Sequence, residues 1–222
     1  MQSFEKIYNK AINRCDGEEF VEELLPKPRT KRQLKKLTDA ECLSNMSRRI
    51  FQAGLSRKII DNKWPGFLDV FKEFDIQFNR MMSDDALAAL MHETKIVRHW
   101  GKIQSVRHNA QLIHEFNEER GGFVETLAEW PSENIVDYWH LLKKEFKQLG
   151  GISGPYFLRR VKKDTFLLTG DVIRALHYWG AIDEIPKNKK QLRHVQDCMN
   201  DWHEESGRAY SQMSMILALS VD

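Results

Sequence analysis

Apolar residues recur along this chain at three- and four-residue intervals, with no convincing run of strict alternation, so the pattern predicts helices and no sheet. Short amphipathic helices are expected over Gln2–Arg14 and Glu18–Leu24, ending at a linker that carries Pro26 and Pro28. Thr38 or Asp39 can cap a helix running to about Ala53, where Gly54 stops it. Ser56–Asn62 and Pro65–Phe74 follow as two further helices, the second with Leu68, Phe71 and Phe74 on one face. Ser83 is placed to cap Asp84–Met91, and the two acids after it suit a helix N-terminus. Ile103, Val106, Ala110, Ile113 and Phe116 mark the buried stripe of a longer helix, Gly101–Arg120, closed by Gly121-Gly122. Phe123–Glu129, a turn at Pro131, and helices at Ile135–Gln148, Val172–Trp179, Lys189–Glu204 and Arg208–Leu219 complete an all-α chain of ten or more helices.

Composition narrows the class without deciding it. At 222 residues, 41% hydrophobic and 30% charged, the chain has the material for one sizeable domain or two small helical lobes. No apolar run approaches membrane-spanning length, and Met1–Lys10 lacks the apolar core of a signal peptide, so no membrane partner and a cytoplasmic location are expected. Cys15, Cys42 and Cys198 are odd in number and far apart, which argues against a disulfide framework. A net charge of +2 does not announce a nucleic-acid ligand, but the basic runs Lys27–Lys36 and Arg159–Lys163 could meet phosphates.

The segment Leu149–Leu176, LGGISGPYFLRRVKKDTFLLTGDVIRAL, carries the most chemistry. Gly151-Ile152-Ser153-Gly154 reads as a tight hairpin, because glycine permits positive φ and close backbone approach. Pro155 suits the first turn of the next helix. Such a turn leaves N–H groups pointing outward, as a phosphate requires. Asp171 follows about twenty residues on, at the start of another helix. A backbone grip with a carboxylate close behind resembles the helix-hairpin-helix DNA glycosylases.

A second block strengthens that resemblance. Phe51–Ser56 reads FQAGLS, followed by Trp64-Pro65-Gly66-Phe67, by Phe74-Asp75, by Ile96–Ile103 (IVRHWGKI) and by Asn109-Ala110. In order and spacing this is similar to the DNA-3-methyladenine glycosylase I family over about Met46 to Phe123. The departures are specific. Where that family carries a Glu used in base recognition, this chain has Arg49, and where it carries a Trp after QAGLS, this chain has Arg57. The family's N-terminal Cys and Tyr-His pair have no counterpart before Met46, and Asp183–Pro186 stands where a His-x3-Cys pair should be. No zinc is therefore expected. Cys198 and His203 alone make a packing or surface pair rather than a site.

The resemblance implies a two-lobed, all-α bundle of the helix-hairpin-helix glycosylase type formed by residues 1–222. The central lobe would span about 55–130, with a hairpin lobe of about 131–222 joined by the N-terminal helices. It implies a DNA repair glycosylase that flips a damaged, 3-methyladenine-like base out of the duplex and hydrolyses its N-glycosidic bond. The alternatives are a DNA-binding protein that has lost base excision, for which Arg49 and Arg57 argue, and a helical scaffold without DNA. Asp171 is the expected catalytic carboxylate. Aligning Arg174 with an arginine common in the superfamily would put Thr169 in that slot instead, but only Asp171 has the required group. Gln52, Arg49, Trp100 and Trp179 are the base-pocket candidates, although each of the two tryptophans reads more readily as a core or interface residue than as a base stacker. Gly151, Ile152, Ser153, Gly154, Arg159 and Lys162 are the DNA-binding ones. The hairpin carbonyls could hold a monovalent cation. Lyase members of the superfamily carry a Lys just after the hairpin, where Pro155 and Tyr156 stand here, so a monofunctional, monomeric enzyme acting on damaged double-stranded DNA is expected.

Overall fold

A computed structural model describes residues 1–221, and every regular element among them is helical. The helices are α1 (Phe4–Arg14), α2 (Glu18–Leu24), α3 (Lys31–Leu34), α4 (Asp39–Gln52), α5 (Arg57–Val70), α6 (Ile76–Arg80) and α7 (Asp84–Ala89). They continue with α8 (Trp100–Glu119), α9 (Phe123–Glu129), α10 (Ile135–Glu145), α11 (Ser153–Arg160), α12 (Gly170–Tyr178), α13 (Lys189–Ser206) and α14 (Tyr210–Leu219). None of the described helices is long and apolar enough to cross a membrane.

Local chemistry explains most boundaries. Thr38 accepts from the Glu41 N–H while Glu41 returns a bond to the Thr38 N–H, a capping box that starts α4. Ser83 accepts from Ala86 N and starts α7 as expected. The same box at Thr30 and Gln33 builds α3 inside the basic run Lys27–Lys36, a helix that apolar periodicity does not predict. Asp75, accepting from Phe78 N, starts α6, which was also missed. Two expected helices are one: α5 runs through Pro65 without a break. Proline inside a helix is unfavourable by about 3 kcal/mol. Packing outweighs it, because Trp64, Phe67, Phe71 and Phe74 are buried as a continuous aromatic stack, with centroid separations of 5.2 to 6.3 Å.

By internal contacts the chain divides into two compact units. One comprises Met1–Arg29, Trp130–Tyr138 and Lys162–Asp222. Its core joins Phe4, Ile7, Leu176, Trp202, Met213, Ile216 and Leu217, with the Trp202 indole donating to the Gln2 carbonyl at 3.0 Å. Asp164 accepts from the Tyr210 and Ser211 N–H groups and so caps α14. The other unit comprises Thr30–Glu129 and Trp139–Val161. There α4 packs on α8 and on α11, and Phe116, Phe123, Phe146 and Phe157 form a second aromatic cluster. The hairpin, Leu149–Gly154, belongs to this second unit, whereas the sequence reading had grouped all of 131–222 with the N-terminal helices.

Candidate nucleic-acid interface

The hairpin is built as its residues demand. Gly151 has φ +57°, and nothing lies within 4 Å of where its Cβ would be. Gly154 is needed for space instead: a Cβ there would stand 3.1 Å from the Leu149 carbonyl oxygen and 3.5 Å from Leu142. Ser153 N donates to Gly150 O at 3.1 Å, closing the turn, and Tyr156 N donates to Ile152 O at 3.0 Å as α11 begins. The N–H groups of Gly150, Gly151 and Ile152 donate to no group among the described residues, and both glycines are exposed. Three backbone donors at one tight turn are what an anionic oxygen needs.

Asn109 holds this turn in place. Its side-chain carbonyl accepts from Lys147 N at 2.9 Å, and its amide donates to Lys147 O at 3.2 Å. Next to it, His108 Nε2 meets the Glu145 carbonyl at 3.2 Å. A fully buried amide satisfying both backbone groups of one residue fixes the run-in to the hairpin. Sequence reasoning used Asn109 only as part of a matching block and missed this role. A polar residue amid the buried stripe of α8 was the available signal. Of the other expected DNA-binding residues, Arg159 is half-buried on α11 and Lys162 is exposed just beyond it, with φ +61°.

In the other unit, Thr169 is the N-cap of α12, and its hydroxyl accepts from Val172 N at 3.3 Å. Asp171 lies in the first turn, exposed, and pairs with Arg174 at 2.5 Å one turn further along. The proposed carboxylate is therefore reachable by solvent, while the rival hydroxyl is occupied with capping.

The four base-pocket candidates divide. Gln52 donates to the Asp61 carboxylate at 3.1 Å, beside Arg48, which reaches the same oxygen at 2.7 Å through Nη2 and 3.2 Å through Nε. That guanidinium holds the Asp61 carboxyl below its usual range. Arg49 lies over the Tyr156 ring, 4.4 Å from its centroid. Burial lowers the Arg49 pKa, and so does neighbouring Arg57, against an opposing effect of Tyr156. Trp100 opens α8 with 41% of its surface exposed, as a stacking residue requires. Trp179 does not belong with these. It is 5% exposed, and its indole donates to Ser220 Oγ at 2.9 Å, so it is a core residue of the unit that carries α12. A stacking and a core indole look alike in sequence.

Buried Lys102 closes the end of α4. Its ammonium donates to Ala53 O at 2.6 Å and Phe51 O at 3.3 Å, two carbonyls that the helix leaves open. Burial, with Arg49 nearby, lowers its pKa. Among the described residues no three His, Cys, Asp or Glu side chains gather as metal ligands. Cys198 lies 3.9 Å from His194 Nε2, while His203 faces the Arg208 carbonyl and stacks on Tyr210, so the C-x4-H spacing brings no shared site.

Every regular element among the described residues is helical, and a glycine hairpin leads into α11, which is the helix-hairpin-helix glycosylase fold. Two solved structures share that fold. The 8-oxoguanine DNA glycosylase of Methanocaldococcus jannaschii superimposes with a TM-score of 0.55 at 16% identity, over 96% of this chain and 91% of that one. The 8-oxoguanine DNA glycosylase of Thermotoga maritima gives 0.51 at 19%, over 96% and 95%. A 3-methyladenine DNA glycosylase I gives 0.48 at 21%, over 64% and 82%. Among curated protein sequences none matches this chain. Residues 33–148, more than half of the chain, match the family described as methyladenine glycosylase, and the chain belongs to that family.

Proposed function

We propose that this protein is a DNA repair glycosylase that hydrolyses the N-glycosidic bond of an alkylated, 3-methyladenine-like base flipped from duplex DNA. The observation that carries the reading is family membership over 33–148. The turn at Gly150–Ile152, with its N–H groups open for a phosphate, supports it from outside that block. In the reaction the C1′–N bond breaks and its electron pair leaves with the base. Water then adds at C1′ and releases a proton to solvent. Positive charge develops on the sugar, as in other glycoside hydrolyses. Asp171 is the proposed group that stabilises this charge and orients the water, because it is an exposed carboxylate at the helix next along from the hairpin. Alkylation of the ring makes the base a good leaving group and suits it to an aromatic face, for which exposed Trp100 is the candidate.

The position after the hairpin holds buried Pro155, which supplies no amine for a Schiff base, so cleavage of the glycosidic bond alone is proposed, by a monomer. The test is release of free base from duplex DNA carrying alkylated residues, with strand nicking measured in the same reaction. Base release without nicking is the expected result. Binding without release from any alkylated, deaminated or oxidised duplex would leave a non-catalytic DNA-binding protein.

A further inference from the structure

We propose that Arg49, Arg57 and Arg160, with Arg48 beside them, form a site for a phosphate group, occupied by a backbone phosphodiester of the bound DNA. The four come from three helices of one unit: Arg48 and Arg49 end α4, Arg57 opens α5, and Arg160 ends α11. Lys102 adds a fifth cation behind Arg49. Against these stands one neighbouring carboxylate, Asp61, whose Oδ1 is already shared by Arg48 and Gln52. The side chains of Arg49, Arg57 and Arg160 make no hydrogen bond or ion pair with any described residue. The Nε atoms of Arg49 and Arg160 are shut off from water as well. Burial lowers the Arg160 pKa most, and Arg48, Arg57 and Arg49 lower it further, against Asp61.

Guanidinium groups repel one another unless an anion lies between them, and half-buried Arg49 and Arg160, unlike exposed Arg57, have little water to do that screening. A neutral base edge would accept from one fork and leave the accumulated charge standing. Phosphate oxygens accept from several forks at once and neutralise them. Tyr156 lies under Arg49, its ring centroid 4.4 Å from the guanidinium carbon. The source follows from α11: its first turn begins at the hairpin donors, and Arg160 sits at its other end, about 10 Å away at 1.5 Å per residue. Two anion sites on one short helix suit two phosphates of one strand better than a free anion.

The proposal takes from the glycosylase reading only that the ligand is duplex DNA, and its test requires no base release. Binding of undamaged duplex is measured by fluorescence anisotropy across a salt series for wild type, Arg49→Gln, Arg160→Gln and Lys10→Gln, an exposed lysine on α1. Each arginine variant should bind about ten-fold more weakly at fixed salt. Each should also lower the slope of log K against log salt by about one. Lys10→Gln should leave both unchanged. Arg160→Lys, which keeps the charge should the glutamine variant fold poorly, should keep the slope and lose several-fold in affinity. Unchanged slope and affinity in folded Arg49→Gln and Arg160→Gln would overturn the site. Protection from melting by inorganic phosphate or a 5′-mononucleotide, where sodium chloride of equal ionic strength gives none, would make it a phosphomonoester pocket and overturn the backbone assignment. An inactive wild type that still shows the slope change would refute the glycosylase reading and leave this one standing.

Discussion

Replacing Asp171 by Asn separates chemistry from folding, because the surroundings of this side chain limit what its loss can do to stability. Asp171 and Arg174 are both more than half exposed. An exposed pair at this spacing contributes about 0.3–0.5 kcal/mol. A carboxylate in the first turn of a helix adds about 0.3–1 kcal/mol. The variant should therefore lose less than about 1.5 kcal/mol, a melting shift under about 6 °C for a chain of this size. A carboxylate acting on charge that exists only in the transition state is a different matter: removing one such group typically lowers turnover by about 100-fold or more. Single-turnover release of alkylated base, with a thermal melt and duplex binding on the same samples, reads all three quantities. The expected outcome is base release down by about 100-fold, DNA affinity nearly unchanged, and a small melting shift. Excision of a cationic lesion need not vanish, since such a base leaves readily. Thr169→Ala is the control. Losing the cap bond to Val172 should destabilise by about 1 kcal/mol without touching chemistry. Should Asp171→Asn keep wild-type release while Thr169→Ala loses it, the assignment is wrong by two residues, and the helix cap is the catalytic position.

Four further outcomes are expected. Gly151→Ala places a methyl in open space at φ +57°, so the fold should survive with about 1 kcal/mol of strain while duplex affinity falls for all sequences alike. Unchanged affinity in folded protein would make the hairpin a structural corner. Lys102→Met keeps the buried stem but strips the Phe51 and Ala53 carbonyls of their charged donor, which should cost about 2–3 kcal/mol in urea melts; an unaltered midpoint would refute that role. Trp179→Phe should lose about 1 kcal/mol with its bond to Ser220 and leave the choice of released base untouched. Arg208 and the Tyr8 hydroxyl hold the Glu22 carboxyl below its unfolded value of 4.5. The stability this gives is present above that pH and fades as pH falls through the lowered value, so Arg208→Gln should flatten the acid limb of a pH–stability curve.

The elements that sequence located best are those whose boundary chemistry is local. Thr38 with Glu41 and Ser83 with Asp84 announce helix starts within four residues, and the stripe Ile103 to Phe116 shows its buried face by period alone. The hairpin was legible for the same reason, since Gly151 requires a backbone that few other residues adopt. The uninterrupted α5 was not legible, because Pro65 predicts a break and only the assembled stack of Trp64, Phe67, Phe71 and Phe74 overrides it. Nor was the division of the base-pocket candidates. Trp100 and Trp179 are the same residue type, one opening α8 and the other closing α12, and their difference is which other elements happen to cover them. The arginine cluster makes the point most directly. Arg48, Arg49, Arg57 and Arg160 are spread over more than a hundred positions, and although Arg49 and Arg57 stand out as departures from the family pattern and Arg160 lies in a basic run, nothing in sequence brings the four together. Coulomb energy depends on distance in space and on the water excluded between charges, and neither is set until α4, α5 and α11 pack together. Sequence determined the helices with local start and stop signals, the hairpin and the family; tertiary structure alone decided which charges confront each other.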